Sequence, residues 1–184
     1  MRRFLAMICL VLGASVAVAM PAAAAPAPAA SPTRAPANPS PAKIRAAVKK
    51  AERSHTVWAT VNICNSRGHH DGLGIRGQMP ALGFAAWLSM DVKLFYYARS
   101  QKRFVAVPTS GTKLVRLGRS SSGLQQGGAL FQFSAHEPTL KATITFIWRR
   151  SGQLIGRTTR TTTGHREADF ASPPHYSAAT CTIK

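Results

Sequence analysis

From residue 57 onward, this chain is built of short segments in which apolar and polar residues alternate. The clearest segment is Leu88–Tyr96, in which Ser89, Asp91 and Lys93 each stand between two apolar residues. Because successive side chains of a strand point to opposite faces of a sheet, a period of two predicts a strand with one buried face. Further predicted strands are separated by Gly, Ser, Pro and Asn, and they span residues 57–63, 73–79, 103–107, 113–117, 129–134, 142–149, 153–163 and 178–183.

The number and spacing of these segments predict the fold class. We expect an all-β domain, a single antiparallel β-sandwich of immunoglobulin-like architecture, because that arrangement buries one face of many short strands. One immunoglobulin detail is missing, since the residue two positions before Cys181 is Ala179 and not tyrosine. The expected likeness is therefore to the architecture alone.

Two other segments precede the strands. Residues 26–42 are rich in Pro, Ala, Ser and Thr, a composition that favours an extended linker without a core of its own. In residues 43–53, apolar side chains recur at helical spacing with basic residues between them, which predicts a short helix. The helix could pack against the sandwich or remain separate from it. With the sandwich it makes up the predicted domain, residues 43–184.

Residues 1–25 have the layout of a secretory signal peptide. A positive start (1–3) precedes an apolar stretch (4–20) and a run of small residues (21–25). An uncleaved anchor is the alternative; a lipoprotein does not fit, because Cys9 lies inside the apolar stretch. No later apolar stretch reaches the ~18 residues that span a bilayer. We expect a secreted, extracellular or cell-envelope protein without a transmembrane span after cleavage.

Cysteine usage agrees with export. Removal of the signal peptide would remove Cys9 and leave Cys64 and Cys181. An even pair in an exported protein predicts one disulfide, and two separate buried thiols are the alternative. The pair would join the start of the folded region to its end, as a clamp and not a redox site.

The charge balance is strongly basic. The chain has 24 Lys and Arg against six Asp and Glu, a formal net charge of +18, and loss of Arg2 and Arg3 with the signal peptide leaves two fewer. Such a field attracts anionic polymers, lipid headgroups or acidic proteins. No specific nucleic-acid motif accompanies it. The charge therefore predicts an anionic partner without naming it.

Two adjacent strands, ending at Arg149 and starting at Gln153, predict a β-hairpin. A two-residue turn between them would place Arg157 opposite Phe146 on the apolar face and so bury a charge. A three-residue loop, Arg150–Gly152, avoids this and is the arrangement that we predict.

Two clusters combine charge with aromatic side chains or with further charge. The first lies at a predicted hairpin tip, where stacking and charge could together hold a sugar, a nucleobase or an anionic polymer. Alternatively, its aromatic residues belong to the core and its cations to a solvated turn. If the first cluster and the second, on the later hairpin, share one side of the sandwich, the binding hypothesis gains support. The candidate residues for binding an anionic partner are Phe95, Tyr97, Arg99, Lys102 and Arg103 in the first cluster and Arg149, Arg150, Arg157 and Arg160 in the second.

A histidine-rich loop is the one candidate for a metal site. His69, His70 and Asp71 could contribute ligands, but neighbouring residues cannot easily turn onto one ion. The alternative is a polar loop without a ligand. We predict no metal site.

Catalytic machinery is poorly represented. Glu167 and Asp169 are the one closely spaced pair of carboxylates, and no Gly-x-Ser-x-Gly motif occurs. Gly123, Gly127 and Gly128 form no phosphate-binding pattern and indicate a flexible turn. We predict no catalytic residue and no cofactor.

The segment His175–Ile183 resembles the last strand of small uncharacterised exported bacterial proteins with an immunoglobulin-like β-sandwich. The resemblance covers that strand alone and brings no functional residues. The charge, the linker and the shortage of acid–base pairs lead us to expect a monomeric, non-catalytic binding or structural protein with a basic surface for an anionic partner. A small secreted hydrolase or metal-dependent enzyme, and a protein-interaction or inhibitor module, are the alternatives.

Overall fold

The computed structural model describes residues 38–134 and 139–183. The predicted signal peptide (1–25) and residues 26–37 of the predicted linker lie outside the described residues. Within the described ranges the chain forms one α-helix, nine β-strands and two short 3₁₀ turns. The elements are α1 (Pro41–Arg53), β1 (Trp58–Ser66), β2 (His69–Pro80), β3 (Ala86–Ala98), β4 (Arg103–Ala106), β5 (Thr112–Ser120), β6 (Leu124–Gln132), β7 (Thr139–Arg150), β8 (Gln153–Thr161) and β9 (Cys181–Thr182).

The described strands form two antiparallel sheets, which confirms the predicted all-β sandwich. Sheet A has the order β1-β2-β6, and sheet B has the order β4-β3-β7-β8. Two strands of sheet B are long enough to pair twice along one edge: β3 pairs with β4 and β5, and β7 pairs with β8 and β9. Sheet B is therefore the larger of the two described sheets, with six strands against three.

The core lies between the sheets. The alternation predicted for β3 is observed, since Leu88, Met90 and Val92 are buried while Ser89 and Asp91 are partly exposed. Trp148 of β7 is fully buried, and its indole Nε1 donates a hydrogen bond of 2.9 Å to the carbonyl oxygen of Pro80. Trp148 thereby buries a large apolar surface without leaving its polar atom unpaired.

Helix α1 packs on the sandwich beside β8. It begins at Pro41, two residues before the predicted start, because Ser40 caps it: the Ser40 side chain accepts a hydrogen bond from the backbone N–H of Lys43. Val48 and Ala51, on the predicted apolar face, are buried against the core. Packing of this face is what holds so short a helix in place.

The β7–β8 hairpin differs from the prediction. Its turn is the two-residue Ser151–Gly152, with φ of 49° and 78°, and not a three-residue loop. The register then shifts by one residue at Ile155, which forms a β-bulge in β8. Arg157 consequently stands opposite Ile147 and not opposite Phe146. The prediction was wrong because it assumed a ladder without a bulge.

Two glycines predicted to lie in a turn are part of strand β6. Gly127 and Gly128 pair with Gly77 and Arg76 of β2. A Cβ on Gly128 would collide with the carbonyl oxygen of Ile75. Glycine is therefore required at position 128 by the close approach of two backbones, and β6 begins five residues before the predicted start.

The segment after β8 covers the free edge of β1. Val61 exchanges two backbone hydrogen bonds with Ala178, of 2.9 and 3.0 Å. Two further isolated bridges join β1 to Thr162 and Ser172. This segment occupies backbone groups that an edge strand would otherwise expose. Only Cys181–Thr182 of the predicted last strand, 178–183, is regular β-structure as β9.

Candidate functional site

The outer face of sheet B is defined by the register of its strands. Paired residues of an antiparallel sheet project to the same side, and the side alternates along each strand. Leu88, Met90 and Val92 point into the core. The residues of β3 that alternate with them therefore point outward, and so do the residues that pair with these on β5 and β7. The outward rows are, from one end to the other, Arg119, Trp87, Arg149 and Leu154; Arg116, Ser89, Ile147 and Arg157; Leu114, Asp91, Thr145 and Thr159; Thr112, Lys93, Thr143 and Thr161; Ala106, Phe95 and Lys141; and Phe104 and Tyr97.

At one end of this face, Trp87 lies between two arginines. Trp87 is 57% exposed, and its register partners are Arg119 of β5 and Arg149 of β7. Adjacent strands are ~4.8 Å apart, so both guanidinium groups stand within reach of a ligand that stacks on the indole. Leu154, the next residue of the row, is 47% exposed. This end therefore offers an exposed apolar surface bordered by positive charge.

At the other end, aromatic rings and lysines are in contact with each other. The rings of Tyr97 and Phe104 meet edge to face, with 5.4 Å between their centroids. The Nζ of Lys141 lies 4.0 Å from the centroid of Phe104, and the Nζ of Lys93 lies 5.8 Å from that of Phe95. Cation–π attraction orders these side chains and keeps two positive charges beside the rings.

The middle of the face is lined with threonines. Thr145 of β7 and Thr159 of β8 are hydrogen-bonded through their hydroxyl groups at 3.0 Å. Asp91 is the sole carboxylate in the described rows of this face. The cations in those rows are Lys93, Arg116, Arg119, Lys141, Arg149 and Arg157. The face therefore carries a net positive charge, with cations in four of its six described rows and with Asp91 and hydroxyl groups between the two ends.

Four of the nine predicted binding residues lie on this face. Phe95 and Tyr97 belong to the aromatic end, and Arg149 and Arg157 to the end that contains Trp87. Trp87 and Phe95 are eight residues apart on one strand, or about 26 Å at the rise of an extended chain. The two predicted clusters thus share one side of the sandwich but occupy its opposite ends.

Three predicted residues lie at the β3–β4 connection. Arg99, Lys102 and Arg103 are exposed there, and the Nε of Arg103 donates to the side-chain oxygen of Gln101 at 2.9 Å. Arg99 also borders a cleft of about 430 Å³ that includes Tyr97. These cations form the tip beside the aromatic end of the face.

The remaining two predicted residues are used elsewhere. Arg150 donates to the side-chain oxygen of Asn38 at 2.9 Å, and its guanidinium lies 5.6 Å from the ring centroid of Phe84. Arg160 donates from Nη2 to the backbone carbonyl oxygen of Glu52, in the last turn of α1. Both arginines therefore contact the N-terminal part of the domain and not the outer face of sheet B.

Sequence reasoning missed the residue at the centre of the most exposed end. Trp87 stands one position before the predicted strand 88–96, and continuing its alternation by one residue would have placed Trp87 on the outer face. No sequence signal identified Arg116 and Arg119 as its neighbours. Arg119 pairs with Trp87 and Arg116 pairs with Ser89, because the register of β3 and β5 shifts at a bulge between Leu88 and Ser89.

The predicted disulfide is present. Cys64 and Cys181 are bonded, with 5.5 Å between their Cα atoms. The bond joins β1 of sheet A to β9, which pairs with β7 of sheet B. The disulfide therefore links the two sheets, and the cysteines take no part in the outer face of sheet B.

The histidine loop is the hairpin between β1 and β2, where His69 and His70 begin β2. Asp71 follows them with a φ of 54°. In residues 38–134 and 139–183, no three His, Cys, Asp or Glu side chains come close enough together to hold a metal ion. In those same ranges no helix has the length and apolar character needed to cross a membrane.

The outer face of sheet A carries one unusual arginine. Burial lowers the pKa of Arg76 from its ordinary value, and the nearby Asp169 carboxylate partly opposes this shift. Its guanidinium lies 5.0 Å from the ring centroid of Phe170, and its Nε has no hydrogen-bond partner among the described residues. Arg76 is partly buried, so its positive charge is less accessible than those of the exposed arginines on the outer face of sheet B.

Comparison with known proteins identifies no relative. No family model matches the chain, and neither a curated protein nor a solved structure matches it. This agrees with the sequence, in which only the last strand resembles other proteins and no functionally characterised family is recognised.

Proposed function

We propose that this protein is an exported, non-catalytic binding protein whose outer face of sheet B binds an acidic polysaccharide. The observation that carries the proposal is the composition of the described rows: six cations against the single carboxylate Asp91, with Trp87 exposed between Arg119 and Arg149. Charge of one sign along a surface raises the local concentration of an anionic polymer and speeds its association.

A polysaccharide fits this face better than a membrane or a globular partner. The face is long and regular, and its rows repeat every ~6.7 Å along the strands. Trp87 at one end and Tyr97 at the other can stack on sugar rings, while the hydroxyl groups of Thr145 and Thr159 lie between them. A membrane-binding surface would instead present one continuous apolar face, whereas Asp91, Thr145 and Thr159 separate the aromatic residues of the two ends here.

Export is part of the proposal. The composition of residues 1–25 supports a signal peptide, and the Cys64–Cys181 disulfide supports an oxidising compartment. An acidic polymer outside the cytoplasm, at the cell envelope or in the medium, is a partner that such a protein would meet.

We also propose that the sandwich is immunoglobulin-like. Lettered in chain order, with β4 and β5 as one divided strand C′, the strand orders become A-B-E in one sheet and C′-C-F-G in the other. This order supports the fibronectin-type arrangement of the sandwich. The parallel bridge between Ala59 and Thr162 adds support, because it joins the first strand to the end of the strand lettered G.

A binding series with several polymers tests the proposed function. We expect the protein to bind polygalacturonate at low salt, to release it as the salt concentration rises toward ~1 M, and to ignore neutral dextran. Trp87→Ala and the double variant Arg119→Gln/Arg149→Gln should each weaken binding by about tenfold or more. Arg45→Gln/Arg67→Gln, which removes two exposed charges outside this face, is the matched control and should change it by less than about threefold.

Three results would overturn the proposal. Tighter binding to phosphatidylglycerol vesicles than to polygalacturonate would assign the face to a membrane surface, and tighter binding to duplex DNA would assign it to nucleic acid. Equal losses in the Arg119→Gln/Arg149→Gln variant and in the control would show that net charge alone is responsible and that the face has no special role.

A further inference from the structure

A second basic site lies where helix α1, β1 and the end of β8 meet. An open cleft of about 300 Å³ occupies this junction. It shares Thr161 alone with the described rows of the outer face of sheet B, and it lies on the other side of β8, because Arg160 points toward the helix whereas Arg157 of the same strand points outward. The cleft is lined by Arg53, Ser54, His55, Val57, Trp58, Ala59, Arg160, Thr161, Thr163 and Arg166.

Arg160 is held in place by the protein. Its guanidinium donates to the carbonyl oxygen of Glu52, to the hydroxyl of Thr158 at 2.8 Å and to the carbonyl oxygen of Thr159 at 3.0 Å. It is half-buried. A charged side chain that is already ordered loses little conformational entropy when it binds a ligand.

A second arginine of the cleft is also ordered. The Nε of Arg166 donates to the hydroxyl of Thr163 at 3.3 Å, and the backbone N–H of Arg166 donates to Ser177 at 2.9 Å. Arg53 completes the three guanidinium groups from the last turn of α1. No carboxylate is among the described residues that line the cleft.

The nearest acidic residue of the helix is engaged elsewhere. The Oε1 of Glu52 accepts a hydrogen bond from the backbone N–H of Arg157 at 3.3 Å. Glu52 itself does not line the cleft; it contributes only the carbonyl oxygen that orders Arg160. The positive charge of the cleft is therefore not balanced from within its lining.

The floor of the cleft is apolar. Val57, Trp58 and Ala59 are buried there, at 3%, 7% and 1% exposure. An anionic group at the rim would meet guanidinium groups, and an uncharged ring or short chain attached to it would lie over the floor. We infer that this cleft binds a small organic anion, a carboxylate or phosphate ester on a body about the size of a single ring.

An NMR titration tests this inference. Phenyl phosphate or phenylacetate is added to the protein, and the amide and arginine Nε signals are monitored in two-dimensional spectra. We expect shifts at Trp58, Thr163 and the cleft arginines, with inorganic phosphate and benzyl alcohol each binding at least about tenfold more weakly than the best ligand. Whichever of the two compounds binds more tightly shows whether the cleft prefers a phosphate ester or a carboxylate.

Variants separate the cleft from general charge attraction. Arg53→Gln/Arg166→Gln should weaken binding by about tenfold or more, whereas Arg45→Gln/Arg67→Gln removes the same charge and should leave it within about twofold. Arg160→Gln is avoided here, because loss of its bond to Glu52 could displace the helix.

No saturable shifts at the cleft for either phenyl compound, or equal effects of the two double variants, would overturn the inference. The result is independent of polysaccharide binding, which depends on Trp87 and not on Arg53.

Discussion

Gly156 of β8 and Val48 of helix α1 are complementary in shape, because the glycine has no side chain at the point where the valine packs. A Cβ built on Gly156 would collide with Cγ1 of Val48. Val48 is 7% exposed and belongs to the core. The docking of the helix on the sandwich therefore depends on a residue without a side chain.

Gly156→Ala is expected to lower the free energy of unfolding by about 1–3 kcal/mol, because either the helix or the strand must move to accept the methyl group. Urea denaturation measures the change. Adding Val48→Ala should make the loss less than the sum of the two single losses, since the smaller side chain removes the collision. Gly68→Ala is the control, because a Cβ there meets nothing within 4 Å. Strict additivity of the Gly156 and Val48 substitutions would contradict the proposed contact.

The Arg160 side chain is expected to stabilise the end of helix α1. Its bond to the Glu52 carbonyl satisfies an acceptor that the helix leaves unpaired, and its charge opposes the negative end of the helix dipole. Arg160→Gln should therefore lower the free energy of unfolding by about 1–2 kcal/mol in urea denaturation. Arg157→Gln, three residues earlier and exposed on the other side of β8, should change it by less than about 0.5 kcal/mol. Equal effects would mean that the bond to Glu52 contributes nothing.

The disulfide is expected to contribute strongly to stability. It spans 117 residues, and restricting so long a loop in the unfolded chain corresponds to about 4–5 kcal/mol by chain entropy. The double variant Cys64→Ala/Cys181→Ala should lose a large part of this, measured by urea denaturation against the oxidised wild-type protein. A loss below about 1 kcal/mol would show that the unfolded chain gains little freedom when the link between the sheets is removed.

Stability should also depend on Tyr176 at alkaline pH. Burial raises the pKa of the Tyr176 phenol above its ordinary value of 10.0. Above pH 10 the folded state therefore keeps this proton while the unfolded state loses it. The contribution of Tyr176 to the free energy of unfolding is thus complete below pH 10 and is lost as pH rises through the folded-state pKa. Tyr176→Phe removes this loss, and its urea midpoint should fall less than that of the wild type between about pH 9 and 11. Parallel curves for the two proteins would contradict the prediction.

Local patterns predicted much of the fold. The alternation around Met90 and Val92 identified β3, because a strand with one buried face must alternate. The apolar spacing in residues 43–53 identified the helix and its buried face. The bulge at Ile155 was not predictable in this way, because no residue type is specific for a bulge and one extra residue changes which side chains face outward.

The candidate site was predictable only in part. Phe95, Tyr97, Arg149 and Arg157 were all chosen for their chemistry, and the structure places them on one face. Arg160 is predicted on the same grounds, but it lies on the helix side of the sheet. It is three residues after Arg157, and residues an odd number of positions apart on a regular strand face opposite sides. Charge in a sequence identifies candidates, and the direction of each side chain decides which of them can act together.

By itself, the sequence determined most of the strands, the helix and the two cysteines that bond, because alternation, helical spacing and the presence of two cysteines in residues 26–184 are properties of short segments or of simple counts. Tertiary structure alone decided that Arg119 and Arg149 stand on either side of Trp87. Arg119 and Arg149 follow Trp87 by 32 and 62 residues in the chain, and only the pairing of β5 and β7 with β3 brings them to its two sides. Strand register, set by turns, bulges and packing of the core, is therefore what assembles a binding surface from cations scattered along the chain.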